Sequence, residues 1–203
     1  MSPLAKAVVE VRACRLCAAD LPLGPRPVLH VAPEARLLLV SQAPGTKVHQ
    51  TGMSFNDRSG DRLRDWLGIT REEFYGNKRL AIMAMGFCYP GRDEGGGDKP
   101  PMKICAPTWH PRLRPLLPNV EMTLLVGQYA HVYYLGLRRK KTLTDTVRAW
   151  REYFPEFLPL PHPSWRNSFW LKENPWFERE VLPELRRQVK RLLKPYRTAA
   201  SAS

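Results

Sequence analysis

Four short apolar runs, separated by segments with helical character, constrain the fold of this chain more than any other feature. The runs are Arg36–Gln42, Arg79–Met85, Met122–Gly127 and Phe157–His162. Short continuous apolar runs are typical of strands that are buried on both faces of a sheet. Their alternation with helices predicts an α/β fold in three layers, α/β/α, around a central, mostly parallel four-stranded sheet.

The segments predicted as helices lie between these runs and outside them. They are Leu4–Ala18, Gly60–Leu67, Pro111–Leu117, Gln128–Leu135, Thr142–Tyr153 and Pro175–Leu193. Pro183 predicts a kink in the last of them, because proline removes a helix hydrogen bond. A chain of 203 residues suits one domain. We expect that domain over residues 1–197, followed by a flexible tail at 198–203.

The chain is strongly basic, with 32 Lys and Arg against 19 Asp and Glu and a formal net charge of +13. Such a surplus favours a polyanionic partner, above all nucleic acid, although a solvated basic surface has the same composition. No stretch reaches the roughly 18 consecutive apolar residues of a membrane span. Lys6, Glu10 and Arg12 interrupt any signal-peptide core. We therefore expect a cytoplasmic protein, monomeric and without membrane contacts.

Four cysteines are candidates for a shared inorganic group. Cys14 and Cys17 form a C-x2-C pair, whereas Cys88 and Cys105 are separate in the sequence and can converge only through folding. Two disulfides are an unusual use for cysteines in a reducing cytosol. Spacing alone leaves three alternatives open: an iron–sulfur cluster, a zinc ion, and four small buried side chains.

Ligands of open parallel sheets lie beyond the carboxyl ends of the strands, so the segments that follow the runs are the candidate site. The turn of Gln42, Ala43, Pro44 and Gly45 could present backbone amides to a ligand. Next in the chain come Phe55, whose ring could stack on a flat ligand, and Asp57, which could act in the site or only cap a helix. GxGxxG and P-loop signatures are absent.

The last apolar run ends at His162, which stands between Pro161 and Pro163. The prolines fix the backbone of a side chain that could donate a hydrogen bond, while a purely structural histidine is the alternative. The segment beyond it carries side chains that could hold phosphates or wedge between stacked bases. These candidates for DNA contact are Ser164, Trp165, Arg166, Asn167, Phe169 and Trp170.

Taken together, these motifs resemble the uracil-DNA glycosylase superfamily, most closely its families 4 and 5. SQAPG is similar to the superfamily's first motif, TGMSF to the stretch that supplies a base-stacking phenylalanine, and HPSW to the second motif. The order of the four cysteines is similar to the [4Fe–4S] pattern of families 4 and 5. The resemblance therefore favours a structural [4Fe–4S] cluster on Cys14, Cys17, Cys88 and Cys105, with zinc as the alternative.

The resemblance implies a monofunctional DNA glycosylase of base excision repair, which flips out uracil or a related deaminated base and hydrolyses its N-glycosidic bond. Gln42 and Ala43 would contact the flipped base through their backbone, and Phe55 would stack on it. His162 would donate a hydrogen bond to O2 of the base as negative charge develops there. Asp57 would orient the attacking water and stabilise the sugar cation.

Two departures from the family pattern widen the range of functions. Ala43 stands where the most active relatives have aspartate, and Ala84 stands where an asparagine usually reads the edge of uracil. Uracil, hydroxymethyluracil, xanthine and hypoxanthine are therefore all candidate substrates. The same departures fit a catalytically weak protein that binds damaged DNA or abasic sites. A structural protein with a four-thiolate metal site and a basic face for RNA or a protein partner is the third hypothesis.

Overall fold

A computed structural model describes residues 1–194 and contains the predicted sheet. Its strands are β1 (Leu37–Ser41), β2 (Leu80–Ala84), β3 (Met122–Val126) and β4 (Phe157–Leu160), each within a predicted apolar run. They pair in the order β2-β1-β3-β4, and every pairing is parallel. All strand residues are buried, as expected for a parallel sheet that is covered on both faces.

Helices cover the two faces and complete the three-layer α/β/α fold. Successive residues of β1 show the two layers directly, because Leu37 and Leu39 pack into one apolar cluster and Leu38 and Val40 into the other. Pro159 is tolerated in β4 because this strand lies at the edge of the sheet. The prediction of the fold class is therefore confirmed.

The helices cluster by the face of the sheet they cover. Their bounds are α1 Pro3–Arg12, α2 Thr46–Thr51, α3 Arg58–Leu67, α4 Arg71–Gly76, α5 Cys105–Leu113, α6 Gln128–Leu135, α7 Leu143–Arg148, α8 Ser168–Glu173 and α9 Leu182–Leu193. Of these, α1, α5 and α6 contribute to one apolar cluster, and α3 and α9 to the other.

Several predicted helix boundaries are wrong, and local hydrogen bonding explains two of them. The first helix ends at Arg12 instead of Ala18, because the N–H of Cys14 donates to Val11 in a tighter turn. The helix predicted over Thr142–Tyr153 is capped as expected by the Thr142 hydroxyl, which accepts from the N–H of Asp145 at 3.0 Å. It ends early, at Arg148, because the residues that follow form a tighter turn at Trp150–Glu152.

The proline-containing helices also differ from their predictions. The helix predicted to begin at Pro111 starts earlier, at Cys105, with Pro111 inside it. In the C-terminal segment a π-helical turn at Phe177–Val181 precedes α9. Pro183 falls in the first turn of α9, where the missing N–H needs no partner.

Two further predictions concern the ends and surroundings of the chain. Residues 195–203, including the predicted tail at 198–203, lie outside the described part. Within residues 1–194, none of the helices combines the length and apolar character that a membrane span requires.

Candidate functional site

A pocket opens at the carboxyl ends of the strands and brings together most of the predicted site. It has about 630 Å³ of empty space, counting its open mouth. Its wall is built from segments that are distant in the sequence, and the predicted residues among them are Ala43, Phe55, Asp57, Ala84, His162 and Ser164.

Phe55 is held in an unusual backbone conformation that turns the chain into the pocket wall. Its φ is +57°, in the left-handed region that non-glycine residues rarely adopt. The buried guanidinium of Arg64 donates to the Phe55 carbonyl at 3.2 Å, and the Tyr75 hydroxyl donates to the Ser54 carbonyl at 2.9 Å. Gly60 leaves room for this turn, because its Cα faces the Phe55 carbonyl directly.

Gly60→Ala should therefore destabilise the protein. A Cβ at this position would lie 1.7 Å from the Phe55 carbonyl oxygen, a backbone atom that cannot yield without moving the pocket wall. Overpacking costs about 1–3 kcal/mol and sometimes more, and we expect a loss at the upper end of that range. Gly76→Ala is the control, since no atom lies within 4 Å of its Cβ position. Equal free energies of unfolding in urea for the two variants would contradict this prediction.

Asp57 both caps a helix and lines the pocket, so its two predicted roles coexist. Its Oδ1 accepts a hydrogen bond from the N–H of Gly60 at 2.9 Å, at the start of α3. A negative charge is favourable there because the helix dipole is positive at its N-terminus. The cap fixes the carboxylate in the pocket wall.

The hydrogen bonds of His162 determine which ring nitrogen carries the proton. Nδ1 accepts from the N–H of Ser164 at 3.2 Å, so in the neutral ring Nε2 carries the hydrogen and is the donor. Burial lowers the pKa of His162, and the nearby charge of Asp57 opposes this in part. The imidazole is therefore set up as a neutral hydrogen-bond donor.

Arg62 and Asn167 hold the His162 loop in place. Arg62, on α3, donates to the Ser164 carbonyl at 2.9 Å and to the Ser168 hydroxyl at 3.1 Å. The Asn167 amide donates to the His162 carbonyl at 2.7 Å. Asn167, predicted as a DNA contact, thus has a positioning contact within the loop. Through Arg62, the loop is tied to the helix that Asp57 caps.

Gln42, unlike Ala43, is not among the residues that line the pocket. The Gln42 carbonyl accepts from the N–H of Gly86 at 3.0 Å, and its amide donates to the Lys99 carbonyl at 3.4 Å. Ala84 lines the pocket, and its carbonyl is 3.0 Å from Nε2 of the buried His110. These contacts brace the loops behind the pocket.

The aromatic side chains near the His162 loop divide into exposed and packed ones. Trp165 and Phe169 are 70% and 73% exposed. Trp170 packs against the core, and its indole N–H donates to the Thr144 hydroxyl at 2.8 Å. The ring of Phe169 is therefore free of the core, whereas the ring of Trp170 is partly buried against it. Trp165, also named from the sequence, is exposed in the same way.

Asp98 also lines the pocket, and sequence reasoning missed it. It belongs to a small hairpin in which Arg92 and Asp98 form an antiparallel bridge. Its Oδ2 lies 3.3 Å from the position that a Cβ would take at Gly45, so it reaches the turn after β1. The glycines at 95–97 were the available signal, since they indicate a tight turn that can carry a flanking side chain.

The four cysteines line a second pocket, which shares no lining residue with the first. This pocket has about 400 Å³ of empty space, including its open side, and its other walls are mainly apolar. The N–H of Phe87 donates to Cys105 Sγ at 3.4 Å. Folding thus brings the C-x2-C pair together with Cys88 and Cys105, as a shared inorganic group requires.

Two of the four thiols are in surroundings that do not suit a nucleophile. Burial raises the pKa of Cys88 to about 11 and that of Cys105 to about 12, which disfavours the reactive thiolate. Within residues 1–194, no group of three or more His, Cys, Asp or Glu side chains stands ready, as placed, to hold a single metal ion. The four thiols instead line one pocket.

A protein-family model matches most of the chain. The model described as "Uracil DNA glycosylase superfamily" matches residues 29–186. The match covers the sheet and every residue named above as lining the Asp57–His162 pocket. Cys14 and Cys17 lie outside it. The chain belongs to the uracil DNA glycosylase superfamily.

Proposed function

We propose that the protein is a monofunctional DNA glycosylase that flips out uracil or a related deaminated base and hydrolyses its N-glycosidic bond. Membership of a superfamily that acts on DNA supports this proposal. The observation that carries it is the convergence of Phe55, Asp57 and His162 on one pocket. These side chains provide a stacking surface, an anion and a hydrogen-bond donor.

The two polar groups suit opposite ends of the bond that breaks. As the bond lengthens, negative charge grows on the base and positive charge on the sugar. Nε2–H of His162 would donate to O2 of the departing base. The Asp57 carboxylate would orient water and stabilise the sugar cation. Phe55 would stack on the flipped base, with Ala43 at the neighbouring turn.

The surface beside the pocket suits DNA binding. Arg166, Trp165 and Phe169 are exposed on the loop that follows His162. A cation can hold a phosphate, and an exposed ring can occupy the gap that a flipped base leaves in the stack. Because the protein has a net charge of +13, we propose that its affinity for DNA falls steeply as salt is added.

The test is an excision assay on labelled oligonucleotides that contain uracil, hydroxymethyluracil, xanthine or hypoxanthine, in single and double strands. Alkali-labile sites at one or more of these bases support the glycosylase. Tight, salt-sensitive binding without excision at any of them would support instead the catalytically weak binder of damaged DNA or abasic sites. Ala43 and Ala84, which replace polar residues, are the observation that favours this second function.

We further propose that the protein is of the family 4 and 5 type and that Cys14, Cys17, Cys88 and Cys105 hold a [4Fe–4S] cluster. The support is the pocket that all four cysteines line, whose other walls are mainly apolar. A single zinc ion needs sulfurs that converge on one point at about 2.3 Å, whereas a cluster fills the space between them. The cluster would stabilise the packing of the N-terminal segment on α5 and take no part in base cleavage.

Metal analysis of the purified protein tests the cluster directly. We expect about four iron and four sulfide per chain, with both lost in Cys14→Ser. If the cluster is structural, the folded fraction of that variant should excise bases at the wild-type rate, because Asp57 and His162 lie in a separate pocket. Stoichiometric zinc in wild-type protein purified without air would contradict the cluster. A metal-free, stable wild-type protein would support the reading of four buried small side chains.

A further inference from the structure

The hairpin that carries Asp98 is braced by its own hydrogen bonds. The N–H of Asp93 donates to the Gly97 carbonyl at 2.8 Å, and the N–H of Gly97 donates to Asp93 Oδ1 at 2.7 Å. At its base, the N–H of Lys99 donates to the Gly91 carbonyl at 2.9 Å. These bonds fix the side of the hairpin on which Asp98 emerges.

Asp98 stands at the mouth of the base pocket without a partner. Among residues 1–194, no donor or cation forms a hydrogen bond or ion pair with its carboxyl group. Partial burial, the largest effect, raises the pKa of Asp98 above its ordinary value. The charges of Arg92 and Arg166 oppose this shift, and those of Asp57 and Asp93 add to it. Its side chain is exposed to solvent while the pocket is open.

A flipped base would change this environment. The base and the DNA strand that carries it would displace solvent from the mouth of the pocket, and a carboxylate that loses water without gaining a donor is strongly disfavoured. Ala84 offers no side-chain acceptor, and its carbonyl is engaged by His110. Two carboxylates, Asp57 and Asp98, line the pocket. Since Asp57 is assigned to the sugar, Asp98 is the one left to accept a hydrogen bond from the base.

We propose that Asp98 is a specificity residue, whose carboxylate accepts a hydrogen bond from an N–H or O–H group of the flipped base. This inference rests on the proposed function. It predicts selection of bases that present a donor toward the hairpin, either the ring N–H of uracil or the side-chain hydroxyl of hydroxymethyluracil. The geometry behind it is the approach of Asp98 to Gly45, in the turn that also carries Ala43.

The test measures binding, so that it does not depend on turnover. Oligonucleotides carry a 2′-fluoro sugar, which destabilises the sugar cation and prevents cleavage. Two pairs of bases each differ by one donor: uracil against N3-methyluracil, and 5-hydroxymethyluracil against 5-methoxymethyluracil. A stable abasic site serves as a ligand without a base.

We expect wild-type protein to prefer the donor-bearing member of at least one pair by roughly 10- to 100-fold, the range of hydrogen bonds to charged groups. Asp98→Ala should reduce this ratio several-fold while binding the abasic site as wild type does. Asp98→Asn keeps an acceptor oxygen and should retain part of the ratio. Glu94→Gln removes a charge from the exposed tip of the same hairpin and should retain all of it.

A wild-type preference for neither donor-bearing base would overturn the inference. So would a ratio that Asp98→Ala leaves unchanged, because the methyl groups would then act only by their size. Failure of the proposed function looks different: wild-type protein would excise none of the natural bases, while the dependence of the binding ratio on Asp98 could still be present.

Discussion

Asp57→Asn should lower the rate of base excision by roughly 10²- to 10⁴-fold, the usual range for the loss of a positioned acid–base group. Asparagine caps helices about as well as aspartate, so the hydrogen bond to the N–H of Gly60 can persist while the charge is lost. The measurement is single-turnover excision at saturating enzyme on whichever base proves to be the best substrate.

Asp57→Ala separates the cap from the charge. It removes both, and loss of a cap costs about 0.5–2 kcal/mol. We therefore expect Asp57→Ala to match Asp57→Asn in rate and to fall below it in stability. Thr142→Ala is the control, because it removes the cap of α7 away from the pocket and should lower stability without slowing excision. An Asp57→Asn variant with the wild-type rate would refute the role of the carboxylate.

His162→Phe is expected to slow excision by roughly 10²- to 10³-fold, as is typical when one donor to a developing oxyanion is removed. Phenylalanine keeps a flat ring but has no N–H. His162→Gln restores an N–H donor and should recover part of the rate. Binding to a stable abasic site should be the same in all three proteins, because that ligand lacks the base.

The leaving group distinguishes the roles of the two residues. Fluorine at C5 stabilises the uracil anion, so 5-fluorouracil needs less help from a donor at O2. The effect of His162→Phe should therefore shrink on 5-fluorouracil, whereas the effect of Asp57→Asn, which acts on the sugar side, should be similar for both bases. Equal losses for His162→Phe on the two bases would indicate that His162 only maintains the shape of the pocket.

Much of the fold follows from local sequence patterns. The four apolar runs predict the strands because both faces of a parallel sheet are buried. Where the runs end, the turns that carry Ala43 and His162 can be located, and so can the pocket at the carboxyl edge. Helix ends are less predictable. The end of α1 at Arg12 and the start of α5 at Cys105 depend on backbone hydrogen bonds and on the placement of proline. Local periodicity does not reveal either.

The candidate site shows the same division at the level of single residues. Phe55, Asp57 and His162 were identifiable because each stands in a recognisable motif. The neighbours of Trp170 in the sequence suit DNA contact, yet its hydrogen bond to Thr144 and its packing against the core leave it partly buried. Side-chain direction after a helix start depends on the whole packed structure.

The sequence alone determined the strand positions, the basic character of the protein and the motif residues of the pocket, because these depend on neighbours along the chain. The tertiary structure decided the contacts between residues that are distant in the sequence. It tied Arg64 to the turn at Phe55, assigned the proton of His162 to Nε2 through its loop, and placed Asp98 opposite Gly45. Such contacts are set by the path of the backbone through the whole fold, which no local preference encodes.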